Sequence, residues 1–202
     1  MNGKGRTIII TVILAIVLLS SGGFWVYQKF QKSQESATKV EAQAEKNYFE
    51  INDEVAGVYF KVSKKFDRLS AQQLQIKNQS FIYGFSASDD KTVACYISQT
   101  KREKPGGVMV SELRDGVFEQ VKKTYPDARL DAAEVVDVGE NNNRGAKLKM
   151  SYSNADVPTL QWEVVGITEK TATFAFCELP AAVLDLYQND VDLFLDNIRL
   201  KQ

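Results

Sequence analysis

Hydrophobic positions along this 202-residue chain fall into distinct spacings, and each spacing implies a different element. From Thr7 to Tyr27 the apolar run is unbroken by any charged side chain. At about 1.5 Å of rise per residue, a helix of that length crosses a hydrocarbon core of roughly 30 Å. A transmembrane helix is therefore predicted over 7–27, with Phe24, Trp25 and Tyr27 as an aromatic belt at its outer end. Residues 28–47 reverse the pattern. They are polar and rich in helix formers, with Phe30 and Val40 as isolated large apolar residues, and they read as a stalk, helical or unstructured.

A period of two begins near Gly57. Val58, Phe60 and Val62 alternate with Tyr59 and Lys61, the mark of a half-buried strand. Two further strands, over 80–86 and 92–98, flank a turn at Ser88-Asp89-Asp90-Lys91. Phe81, Tyr83 and Phe85 are expected on one face of the first, and Val93, Cys95 and Ile97 on one face of the second. After the Pro105-Gly106-Gly107 turn the period changes to that of a helix, with Val110, Leu113, Val117 and Val121 in one stripe. Ser111 is the expected cap, and Pro126 ends the element.

Alternation then resumes in strands at 133–138, 146–152, 160–164 and 171–177. These are separated by turns at Asn141–Gly145, Ser153–Pro158 and Thr168–Lys170. A final helix is predicted from Pro180 to about Ile198, with Val183, Leu184, Tyr187, Val191, Phe194 and Leu195 inward and Asp185, Asp190, Asp192 and Asp196 outward. The order β-β-β-α-β-β-β-β-α predicts an α+β domain over 48–202, an antiparallel β-sheet flanked by helices.

Charge orients the apolar run. Lys4, Arg6 and the terminal amine precede it, and Lys29 and Lys32 follow it. The expected arrangement is a cytoplasmic tail over 1–6 and an extracytoplasmic domain, anchored in the cell membrane by a single pass. The rival reading is a cleaved signal peptide; the run exceeds a usual h-region of about 7–15 residues and leads into aromatic residues. No cysteine follows the run closely enough for a lipid-anchor motif.

Composition narrows the chemistry. The chain has no histidine, which removes Ser-His-Asp and Cys-His catalysis and His-ligated metal sites. Its formal net charge is −1, and the Lys101-Arg102-Glu103-Lys104 group is too short for a nucleic-acid stripe. No cofactor motif is present, and neither a catalytic nor a metal site is expected. Asp115 and Glu119 lie one helical turn apart without a nucleophile, Ser-x-x-Lys spacings at Ser36, Ser88 and Ser98 read as chance, and Asn78-Gln79-Ser80 fits the N-glycosylation pattern. Cys95 and Cys177 fall in predicted strands, either bridged in an oxidising compartment or buried as reduced thiols. Tyr59, Tyr83, Tyr96 and Trp162 also fall on strands, chiefly as packing residues; Tyr83 and Trp162 are the candidates for a ligand or partner surface.

Two stretches carry a resemblance. Gly57-Val58-Tyr59-Phe60-Lys61-Val62-Ser63-Lys64-Lys65-Phe66 resembles the opening G-x-x-F-x-x-P-x-x-aromatic segment of PsbP-like domains, with Ser63 where the family often has Pro. The end, from Asp192 to Leu200, resembles the family's last helix and its short I-x-L terminus. The resemblance implies an α/β/α sandwich and a largely non-catalytic role in binding or assembling other proteins. The expected function is thus a membrane-anchored domain that binds a protein partner or assists an envelope complex. A small-ligand or sensor module is the alternative, and a carboxylate hydrolase stands behind both.

Overall fold

The computed structural model describes residues 46–102, 109–139 and 143–201. The expected tail (1–6), the spanning helix (7–27) and the stalk up to residue 45 lie outside the described residues, as does the Pro105-Gly106-Gly107 turn. Among the described residues no helix is long and apolar enough to cross a membrane.

Ten strands and three helices follow one another in the described residues: β1 (Tyr48–Asp53), β2 (Val58–Ser63), β3 (Phe66–Arg68), α1 (Ala71–Lys77), β4 (Phe81–Ala87), β5 (Ala94–Lys101), α2 (Val110–Thr124), β6 (Arg129–Asp137), β7 (Arg144–Asn154), β8 (Val157–Ile167), β9 (Thr171–Pro180), α3 (Leu184–Asp196) and β10 (Arg199–Leu200). Seven strands form an antiparallel sheet in the order β3-β4-β5-β9-β8-β7-β6, and β1-β2-β10 form a smaller antiparallel sheet. The result is the α+β architecture that the alternating pattern predicts.

The large sheet buries both faces. One packs against β2 and α3 through Phe60, Phe85, Cys95, Trp162, Cys177 and Phe194. The other packs against α2 through Val117, Leu148, Met150 and Val165, and against α1 through Leu74, Ala94 and Tyr96. In register, β7 turns Leu148 and Met150 toward α2, while β8 turns Trp162 and Val164 toward α3. Each strand alternates between the layers, so β8 also turns Gln161, Glu163 and Val165 toward α2, opposite Met150, Leu148 and Ala146 of β7.

Several sequence expectations need correction. Phe81 does not share a face with Tyr83 and Phe85. A register shift between Phe81 and Tyr83 inserts a bulge, so Phe81 joins the α1 side and stacks on Tyr96 at 4.8 Å between ring centroids. Ser111 does not cap α2. The cap position is Met109, whose backbone N–H donates to the Glu112 carboxylate (3.2 Å). The Ser153–Pro158 loop contracts to two residues, Ala155 and Asp156, both with positive φ (49° and 67°), in a tight hairpin. Pro180 closes β9 instead of opening a helix, and a 3-10 turn (Ala181–Val183) precedes α3. β1, β3, α1 and β10 were not anticipated; α1 carries a capping box, Ser70 Oγ accepting from Gln73 N–H (3.3 Å) and Gln73 Oε1 accepting from Ser70 N–H (2.8 Å).

Candidate functional site

Cys95 and Cys177 occupy directly opposed positions on β5 and β9 and are joined by a disulfide, with Cα atoms 4.0 Å apart. The bridge lies in the core under α3 and exposes no sulfur for chemistry.

Tyr83 and Trp162 both face that core, but three strand spacings apart, roughly 14 Å. They do not form a shared pocket. The Tyr83 hydroxyl donates to Asp53 Oδ2 (2.7 Å), and the Arg68 guanidinium lies 4.9 Å from the ring centroid. Asp53 also accepts from the backbone N–H groups of Val55 and Ala56 (both 2.9 Å), so the cluster pins the β1–β2 turn to β4. Trp162 is 6% exposed, its indole N–H has no partner among the described residues, and Lys149 Nζ sits 4.8 Å from the ring centroid. It lines a groove of about 390 Å³ with Ala132, Glu134, Lys147 and Asp192.

The acidic residues of α3 are largely neutralised by lysines. Asp190 pairs with Lys65 (2.8 Å), and Lys147 lies 2.6 Å from Asp196 and 3.9 Å from Asp192. Burial raises the Asp192 pKa, with Lys147 opposing it. Asp115 is held by its neighbour Arg114, which lowers its pKa. Ser98 and Lys101, three apart on β5, point to opposite faces of the sheet and cannot act together. Among the described residues no group of three or more His, Cys, Asp or Glu side chains could hold a metal.

A second concavity was not anticipated. Between α2 and the large sheet lies a cavity of about 470 Å³, within the range of ligand pockets. Leu113, Gly116 and Val117 form its helix side, and Ser98, Gln161 and Glu163 part of its sheet side. Glu163 is 5% exposed, yet only one hydrogen bond reaches its carboxylate among the described residues, from Gln161 Nε2 (2.8 Å). Gln161 Oε1 in turn accepts from the Tyr152 hydroxyl (3.0 Å). Burial pushes the Glu163 carboxyl from its ordinary 4.5 up to about 7, against the opposing pull of Gln161. Burial also raises Tyr152, which keeps it a donor. Glu112 lines the same cavity but is exposed and engaged with the Met109 N–H. The arrangement can accept a hydrogen-bond donor or a positive charge; it holds no activated nucleophile.

No family model matches the sequence. No curated protein matches it either. Solved structures do. The solution structure of cyanobacterial PsbP (CyanoP) from Synechocystis sp. PCC 6803 matches with a TM-score of 0.58 at 10% identity, over 76% of this chain and 92% of that one. The domain has a PsbP-like fold. The crystal structure of LpqN of Mycobacterium tuberculosis, described as involved in cell envelope biogenesis, matches with a TM-score of 0.53 at 11% identity, over 77% of this chain and 91% of that one. At such identities the likeness speaks for the fold alone. Within the PsbP-like fold, the α2 cavity and the Trp162 groove lie on opposite faces of the large sheet.

Proposed function

We propose that the chain is a single-pass protein of the cell membrane, with its N-terminus cytoplasmic, that displays this PsbP-like domain outside the cytoplasm. There it binds a protein partner or helps to assemble an envelope complex, without catalysing a reaction. The apolar run 7–27 and the preceding Lys4 and Arg6 support the placement. A buried disulfide suits an oxidising compartment.

The observation that carries partner binding is the edge strand β6. It pairs with β7 on one side and with no strand on the other among the described residues, and seven of its nine positions are exposed. An open edge of that length can accept an extended segment of another protein by strand addition. The Trp162 groove runs beside it, lined by Ala132 and Glu134 from β6 itself, and would receive a partner side chain. The charges Asp131 and Glu134 and the bulge between Leu130 and Ala132 guard the edge against indiscriminate pairing.

The reading is tested by placing a photo-crosslinking residue at Val135, 58% exposed on β6, in the full chain in its native membrane. Ile76 on α1, 79% exposed, serves as the control position, and the segment 1–47 alone as the anchor control. A discrete protein adduct from Val135, absent from both controls, is expected. No adduct, or the same adducts from Ile76, counts against it. A small-ligand module is the second reading, favoured by the α2 cavity.

A further inference from the structure

We propose that the cavity between α2 and the large sheet is a binding site for a small organic cation, an amine carried on an apolar body, with Glu163 as its charge partner. The site is independent of the β6 edge, since it opens on the opposite face of the sheet.

Three features of the cavity converge. The walls are mainly apolar: Leu113 and Val117 from α2, Phe174 and Phe176 from β9. Such walls take the body of a ligand out of water. The polar groups among them select its head. Glu112 and Glu163 are the charged residues that line the cavity, so no lysine or arginine among its described lining offsets them. Glu163 keeps unused acceptor capacity beyond the single bond from Gln161. Ser98, 8% exposed and lining the same cavity, has no hydrogen bond to its hydroxyl among the described residues. An ammonium group supplies both missing interactions, a charge for the carboxylate and donors for the two oxygens. An anion would meet two acids.

Gly116 supplies the space. It sits in the interior of α2, where glycine is disfavoured, and a Cβ there would meet nothing within 4 Å. Neither packing nor backbone conformation accounts for a glycine at this position. Its missing side chain leaves the cavity open along the helix.

Calorimetric titration of the full chain in detergent with three probes of similar shape provides the test: 2-phenylethylammonium, neutral 2-phenylethanol and anionic 3-phenylpropanoate. The cation should bind at least about tenfold more tightly than the other two, as a charged hydrogen bond in a buried site warrants. Glu163→Gln, which keeps the shape and removes the charge, should abolish that preference. Gly116→Leu, which enters open space and so leaves the fold intact, should block all three probes. Should the Glu163 variant misfold, Ser98→Ala serves in its place and should weaken the cation alone. Equal affinities for the three probes, no saturable binding of any, or full cation affinity in the folded Gly116→Leu variant would overturn the proposal. The β6 crosslink is expected to persist in Gly116→Leu, which separates the fate of this site from that of the partner surface.

Discussion

Glu163 shows how one side chain couples the cavity to stability. Its folded pKa is raised to about 7, so between about pH 4.5 and 7 the native state holds a proton that the unfolded chain has released. Stability contributed by this group is therefore present at low pH and is lost as pH rises through that window, on the order of 3 kcal/mol in full. Urea unfolding of the chain and of Glu163→Gln at pH 5 and pH 8 should show the wild type losing stability relative to the variant as pH rises. A constant difference between the two proteins would refute the linkage. This residue was not legible in the sequence. Gln161 and Glu163 alternate with Leu160, Trp162 and Val164, which reads as the solvent face of a half-buried strand. Only the strand order, with β8 between β9 and β7 and α2 laid across that face, puts the two polar side chains inside. Cys95 and Cys177 were visible as a pair, whereas their bonding depends on β5 and β9 being neighbours.

At the scale of elements, periodicity located the long strands and both long helices because burial on one face leaves a mark of 2 or 3.6 residues. It failed where another cause decides. β1 is an exposed edge with no steady alternation, and α1 buries only Leu74, so its signal was the Ser70-x-x-Gln73 capping box, not a stripe. The bulge in β4 reversed the face of Phe81, an event that alternation alone cannot announce. The alternation announces the β7–β8 pairing but not the tightness of its turn, because Ala155 and Asp156 lack the Asn-Gly signature of a turn with positive φ at both central residues. That mismatch yields a prediction. An L-alanine at φ 49° bears a steric cost that asparagine relieves by local hydrogen bonding. Ala155→Asn should stabilise the domain by about 0.5–1 kcal/mol and raise Tm by roughly 2 °C. A lower Tm in a thermal melt would show that the turn tolerates alanine for another reason.

Across the whole molecule, the large sheet is assembled from distant parts of the chain, and the disulfide spans that distance. Cys95 and Cys177 are separated by 82 residues, a loop that contains α2 and β6 through β8. Closing a loop of that length removes conformational freedom from the unfolded chain, worth about 4 kcal/mol by chain entropy. The bridge also ties β5, which carries β4 and β3 on its outer side, to β9, which carries β8, β7 and β6. It thus fastens the two halves of the sheet at their seam, beneath α3, and a reducing environment would loosen the surface that β6 offers as well as the cavity under α2. Denaturant unfolding of the full chain with and without a strong reductant should show a loss of roughly 2–5 kcal/mol on reduction. The Cys95→Ala/Cys177→Ala variant should match the reduced protein and no longer respond to reductant. Equal unfolding midpoints for oxidised and reduced chain would mean that the hydrogen-bonded β5–β9 ladder alone holds the seam, and would remove the case for an oxidising compartment that the bridge supplies.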